Sequence, residues 1–72
     1  MAIYSKVVVP SDTATLDQPG EIYVGGAGNL KVITDGGDTV TFVGVLKGTI
    51  LPVLVAKVFS TGTTATNLVV NF

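Results

Sequence analysis

The sequence predicts an all-β protein, a small antiparallel β-sandwich or barrel with about six to seven short strands in a jelly-roll-like arrangement. Thirteen Val and ten Thr dominate the composition, and both residues favour strands because a branched Cβ packs well on a pleated surface. Nine glycines interrupt the chain at short intervals, which is typical of strands joined by tight turns. No window shows the apolar spacing of an amphipathic helix.

The length and composition predict a single β domain over residues 1–72, in which residues 1–20 form an extended arm and loop. A chain of this size buries only about 60% of the surface that its unfolded form exposes. Cys and His are both absent, so neither a disulfide nor the commonest metal ligands can add stability. Oligomerisation is the remaining way for such a small domain to gain stability.

The first predicted strand is Ile3–Val9, and Pro10 ends it because proline cannot donate to a sheet ladder. Alternation places Ile3, Val7 and Val9 on one face of this strand. The polar segment Ser11–Gly20 is predicted to be a loop that either crosses to a neighbouring subunit or covers a sheet edge.

The middle of the chain predicts three further strands, Glu21–Val24, Asn29–Thr34 and Thr39–Val43. The glycine run 25–28 separates the first two. The segment Asp35–Asp38 predicts a hairpin turn between the last two, because its two glycines adopt positive φ without a steric penalty.

The last third predicts a turn at Gly44–Gly48, a short segment Thr49–Leu51, and strands at Val53–Phe59 and Thr66–Phe72. The strand Val53–Phe59 is apolar on both faces, so it needs cover on both sides. In so thin a domain, we expect the second cover to come from another subunit.

The charge content excludes two classes of partner. Charged residues make up 12% of the chain and the net charge is −1, so we expect part of the surface to be covered by other subunits. Four Lys and no Arg argue against nucleic acid, which requires several cations to neutralise phosphates, and against an anionic membrane surface. The apolar stretch 42–59 contains Lys47, Lys57 and Pro52, which favours buried strands over a membrane-spanning helix.

The sequence predicts no catalytic, cofactor or metal site. A phosphate-binding loop would need Ser or Thr after Lys31, and Val32 stands there instead, so the glycine run is interpreted as a turn. Asp35 and Asp38 lack the spacing of a calcium loop and are interpreted as hairpin residues.

Five stretches, in this order along the chain, resemble the small spike-base proteins of phage heads and gene transfer agents. They are Pro10-Ser11-Asp12, Tyr23-Val24-Gly25-Gly26-Ala27-Gly28-Asn29-Leu30, Gly37-Asp38-Thr39-Val40-Thr41-Phe42, Gly48-Thr49-Ile50-Leu51-Pro52-Val53 and Thr61-Gly62-Thr63-Thr64-Ala65-Thr66. The resemblance covers residues 8–72.

The resemblance implies a β-structured accessory protein on the outer surface of a virion capsid, where it forms a ring at a vertex as the base of a spike or fibre. A cement protein that forms a trimer at a threefold position is the alternative within the same class. The implied partners are further copies of the chain, as a pentamer or trimer, the major capsid protein, and a spike or fibre protein. From a different class, a small β module that binds glycan or peptide also remains open.

Apolar residues that one thin pair of sheets cannot cover are predicted to lie at subunit or capsid contacts. These residues are Ile3, Val7, Val9, Val53, Val55, Phe59 and Phe72.

Overall fold

The computed structural model describes residues 3–72, and it confirms the predicted all-β fold. It contains seven strands, which is the upper end of the predicted six to seven. They are β1 (Ser5–Val7), β2 (Glu21–Gly26), β3 (Gly28–Thr34), β4 (Thr39–Val45), β5 (Thr49–Ile50), β6 (Val55–Val58) and β7 (Thr66–Asn71). Within residues 3–72, no helix is long and apolar enough to cross a membrane.

The strands form two antiparallel sheets. The four-stranded sheet has the order β1-β7-β2-β5, and the three-stranded sheet has the order β4-β3-β6. Strand β7 therefore lies between β1 and β2, so the C-terminal end of the chain is paired on both sides within its sheet.

The chain passes from one sheet to the other through a single residue, Ala27, between β2 and β3. Ile22 and Val24 before this corner and Leu30 and Val32 after it are fully buried. The even-numbered side chains thus stay on the inner side while the backbone bends, which is how a strand switches sheets at the corner of a sandwich.

The two sheets share one hydrophobic core, to which both contribute residues, and no polar side chain among the described residues is buried in it. The buried apolar residues are Val8, Ile22, Val24, Leu30, Val32, Val45, Leu51, Val55, Val58, Ala65, Leu68 and Val70. A core lined by both inner faces defines the arrangement as a sandwich.

The segment between β1 and β2 covers the β6 edge of the three-stranded sheet, opposite the sheet that holds β1 and β2. The amides of Ser11, Leu16 and Gly20 donate to carbonyls of β6 at 2.9, 2.8 and 3.2 Å. The loop was predicted either to cross to a neighbouring subunit or to cover a sheet edge, and in the structure it covers an edge.

The predicted strand Val53–Phe59 is shorter in the structure, because its pairing with β3 begins only at Val55. Pro52 and Val53 form a bend before it. Leu54 is consequently 53% exposed, while Val55 and Val58 are buried in the core.

Candidate docking face

The outward face of the four-stranded sheet carries one apolar residue on each strand, and the four are neighbours in register. Val7 of β1 pairs with Val69 of β7, Val69 pairs with Tyr23 of β2, and Tyr23 pairs with Ile50 of β5. Since directly paired residues place their side chains on the same face, these four form a continuous line across the sheet. We call it the outer apolar row.

The outer apolar row is open to solvent and bordered by polar residues. Val7 is 79% exposed, Ile50 52% and Tyr23 38%, and Val69 is half-buried. On one side lies the polar row formed by Ser5, Asn71 and Glu21, in which the Ser5 hydroxyl donates to Asn71 Oδ1 at 2.6 Å. An exposed apolar patch with a polar border is typical of a protein–protein docking surface.

The N-terminal segment extends the apolar surface beside the row. Ile3 is 76% exposed and Val9 is 82% exposed. On the opposite face of the segment, the Tyr4 ring lies 5.8 Å from the Phe72 ring, centroid to centroid, and Tyr4 is 63% exposed.

The glycine run serves close packing of backbones. A Cβ on Gly28 would lie 2.5 Å from the amide nitrogen of Ala65, and one on Gly25 would lie 2.7 Å from the carbonyl oxygen of Asn67. The Asn29 amide donates to Thr64 Oγ1 at 2.8 Å, and the Asn29 carbonyl accepts from the amides of Thr64 and Ala65. These backbone groups are engaged within the chain, and the run forms the one-residue corner between β2 and β3 where a tight turn was expected.

Asp12 fastens the loop before β2 to the turn between β6 and β7. Its Oδ1 accepts hydrogen bonds from the amides of Ser60 and Thr61 at 3.0 and 2.9 Å, and its Oδ2 accepts one from the Thr61 hydroxyl at 2.5 Å. Lys57 Nζ donates to the Asp12 carbonyl at 2.6 Å. The Thr61 hydroxyl and then the Thr61 amide are the main causes that lower the pKa of Asp12, because both stabilise the charged carboxylate.

Two lysines cover the Phe59 ring on the three-stranded sheet. Lys31 Nζ lies 4.8 Å and Lys57 Nζ 4.6 Å from the ring centroid, both within cation–π range. Part of the Phe59 ring is therefore already covered by these two lysines of the same chain.

The predicted contact residues fall into three environments. Ile3, Val7 and Val9 are strongly exposed. Val53, Phe59 and Phe72 are half-buried, with Val53 and Phe72 packed against the core. Val55 is fully buried, so its side chain has no area left for a neighbouring subunit.

Three members of the outer apolar row escaped the sequence analysis, namely Tyr23, Ile50 and Val69. Tyr23 alternates with buried Ile22 and Val24 along β2, which is a detectable signal for an outward side chain. The row itself depends on which strands pair, and residues 7, 23, 50 and 69 are far apart along the chain.

Among residues 3–72, no group of three or more acidic, His or Cys side chains is arranged to hold a metal ion. Asp35 and Asp38 lie at the predicted turn between β3 and β4, where the Asp38 carbonyl accepts a hydrogen bond from the Thr34 amide at 2.8 Å.

Comparison with known proteins finds a similar chain among the solved structures. No family model and no curated protein matches the chain. Among solved structures, the capsid of a native gene transfer agent particle computed with C5 symmetry contains a similar chain, with a TM-score of 0.88 and 36% sequence identity. The match covers 100% of this chain and 84% of the other.

Proposed function

This chain belongs to the family of the matched gene transfer agent capsid protein and is a phage-like capsid-associated protein. From that premise, we propose that it decorates the outside of the capsid. In this proposal the chain is a spike base or cement protein with no catalytic role. It assembles symmetrically with copies of itself and docks on the major capsid protein.

The observation that carries this proposal is the 36% identity to a capsid chain over the whole length of the sequence. The outer apolar row supports it with a surface suited to docking. The row lies on the face of the four-stranded sheet opposite the core, so folding of the single chain leaves Val7, Tyr23 and Ile50 uncovered.

The size of the row favours repeated contacts over a single pairwise one. Burying one Val- or Ile-sized side chain is worth about 1.5–3 kcal/mol, and association costs on the order of 4–15 kcal/mol in lost freedom of motion. The burial of four side chains therefore exceeds the free-energy cost of association by little in one isolated contact. A subunit held simultaneously by the capsid surface and by neighbouring copies shares that cost among several contacts.

A fivefold ring is the first symmetry to test, since the similar structure is of a capsid computed with C5 symmetry. A spike base at a fivefold vertex leaves its outer side available to a fibre. A cement protein would instead form a trimer at threefold positions.

The proposal is tested by binding to particles assembled without this protein. Val69→Lys places a charge in the outer apolar row, and Asn71→Lys is the matched control, because both positions are half-buried on the same face of β7. We expect Val69→Lys to weaken co-sedimentation with the particles at least about tenfold, which corresponds to losing roughly one buried aliphatic contact.

Asn71→Lys is expected to bind within about threefold of the wild type, since it lies outside the row. Equal binding by both variants would show that the row is not the docking surface. Failure of the wild-type chain to bind any such particle would contradict the decorating role itself.

One observation favours a second candidate function. The exposed Tyr4 ring and the half-buried Phe72 ring form an aromatic pair, which is a feature that a glycan-binding module would need. A glycan array measures sugar binding directly. A specific signal that is lost in Tyr4→Ala would support sugar binding, and an array without signals would exclude it.

A further inference from the structure

Apart from the two-residue β5, two edge strands of this fold have an open side. The edge of β6 is covered by the loop before β2, and β5 has only two residues. Among the described strands, β1 at one edge of the four-stranded sheet and the seven-residue β4 at one edge of the three-stranded sheet have a side without a partner strand. Such edges present unpaired backbone groups that can accept another strand.

The hydrogen bonds of β1 fix which of its residues face outward. Tyr4 and Phe72 exchange amide–carbonyl bonds at 2.8 and 2.9 Å, and the Val8 amide donates to the Leu68 carbonyl at 2.9 Å. Because the direction of the backbone groups alternates along an antiparallel strand, the amides and carbonyls of Ser5 and Val7 point away from β7, to the open side.

The same alternation applies to β4. The Thr34 amide points toward β4, since it donates to the Asp38 carbonyl at 2.8 Å. The Lys31 carbonyl points the other way, toward β6, since it accepts from the Phe59 amide at 2.9 Å. Thr41, which is opposite Lys31, and Thr39 therefore direct their backbone groups away from β3. Both open edges thus present outward groups at every second residue.

Charge and proline, two of the features that usually block strand addition, are absent from β4 and limited to one lysine on β1. Strand β4, Thr39–Val45, contains no charged residue and no proline, although a charge or proline is the common protection of an exposed edge. The only charge on β1 is Lys6, whose ammonium group pairs with Asp17 at 3.3 Å.

The two open edges lie on opposite sides of the molecule. Strand β1 is at one end of the four-stranded sheet and β5 is at the other. The three residues 46–48 connect β4 to β5, so the open edge of β4 is on the β5 side. Two different edges on opposite sides suit a head-to-tail contact, which generates a ring when the rotation between copies closes.

We propose that the open edge of β1 in one copy pairs with the open edge of β4 in the next copy, so that a four-stranded sheet and a three-stranded sheet join into one across each contact. The inference rests on the proposed function, for which it specifies the contact between copies. Strongly exposed apolar residues flank both edges, Ile3 and Val9 beside β1, and Val43 and Leu46 at the end of β4. A contact between the two edges covers both groups.

The test uses the absence of cysteine from the chain. Residues that exchange hydrogen bonds across antiparallel strands have Cα atoms about 5.5 Å apart, which lies within the range of a disulfide. The double variants Val7→Cys/Thr41→Cys and Val7→Cys/Thr39→Cys cover two neighbouring registers. Under mild oxidation, one of them is expected to form a ladder of covalent oligomers that ends at a closed ring.

Each single variant is expected to remain uncross-linked on its own, and a mixture of the two singles to stop at dimers. Val7→Cys/Thr64→Cys is the control, because Thr64 is exposed but lies off both open edges. The reactions are run with free protein and with protein bound to particles, and circular dichroism establishes that every variant keeps its strand content.

The outcomes separate this inference from the proposed function. Dimers from Thr41→Cys alone would overturn the head-to-tail contact in favour of a twofold pairing of β4 with itself. Particle-bound protein that forms no cross-link in either double variant would overturn the edge pairing and leave the decorating role intact. Wild-type protein that stays monomeric and binds no particle would overturn both.

Discussion

At the scale of single residues, Asp12 shows how a polar contact orders the long loop before β2. The loop has no strand of its own, and Asp12 joins it to the turn at Ser60 and Thr61 through three hydrogen bonds. At the sequence level, Asp12 appears within the stretch Pro10-Ser11-Asp12 that contributes to the resemblance. Its partners are 48 and 49 residues away, so a local pattern could not reveal this role.

The lowered pKa of Asp12 predicts an acid-dependent loss of stability. A carboxylate whose pKa is lower in the folded chain than its ordinary value of 3.8 stabilises the fold above that value. This contribution is lost as the pH falls from 3.8 through the lower folded pKa. Asp12→Asn is expected to be less stable at neutral pH and to show a flatter decline in the free energy of unfolding under acid, measured by denaturant titration from pH 6 to pH 2.

The cause of the shift is checked by NMR titration of the Asp12 carboxyl carbon. We expect Thr61→Ala to raise the pKa of Asp12 more than Ser60→Ala does, since the Thr61 hydroxyl is the largest contributor and the Ser60 side chain the smallest. Equal shifts in the two variants would assign the effect to the turn backbone alone.

Residue burial could be predicted in part. Alternation puts Leu30 and Val32 on one face of their strand, because a strand period of two is a local property, and both are buried. Val55 was expected at a contact between subunits. Its burial follows from pairing with β3 and from the loop amide of Gly20 that bonds its carbonyl, both of which are long-range.

At the scale of elements, the corner between β2 and β3 depends on glycine. Here β2 and β3 pass close to the backbone of residues 64–67, and side chains at Gly25 and Gly28 would overlap with it. The glycine run predicts a break in the strand at this point. The packing that demands glycine could not be predicted, since the neighbouring backbone comes from β7 and the turn before it.

Gly28→Ala is expected to destabilise the fold by about 1–3 kcal/mol, the usual range for overpacking. The new Cβ would meet the backbone of Thr64 and Ala65, which cannot move without disturbing β7. Gly36→Ala is the matched control, because its nearest neighbour would be Thr34 Oγ1 at 3.9 Å. Urea denaturation that gives the same midpoint for both variants would contradict this account of the corner.

The ends of the strands were harder to predict than their positions. Strands β2 and β3 extend into the glycine run, and β6 is shorter than Val53–Phe59. A strand ends where its partner ends or where the register shifts, as between Ile33 and Thr34 opposite β6. The residues around Pro52 and Gly25 indicate that a strand ends nearby, but they give the position of its last residue only approximately.

At the scale of the whole molecule, the chain combines one core with an apolar line on the outside of a sheet. The low share of charged residues, 12%, already indicated that part of the surface is covered in an assembly. The position of that surface on the four-stranded sheet required the pairing of β1, β7, β2 and β5. Composition therefore predicts a docking surface, and topology shows where an exposed apolar face is available for it.

The central claim, a symmetric decoration of the capsid exterior, is tested most directly by cryo-electron microscopy of particles that carry this chain, compared with particles assembled without it. The account predicts additional density outside the shell that fits the seven-stranded sandwich in a ring at a symmetry axis, with the outer apolar row or the open β1 and β4 edges in contact. Density on the inner surface, or no difference between the two kinds of particle, would contradict it.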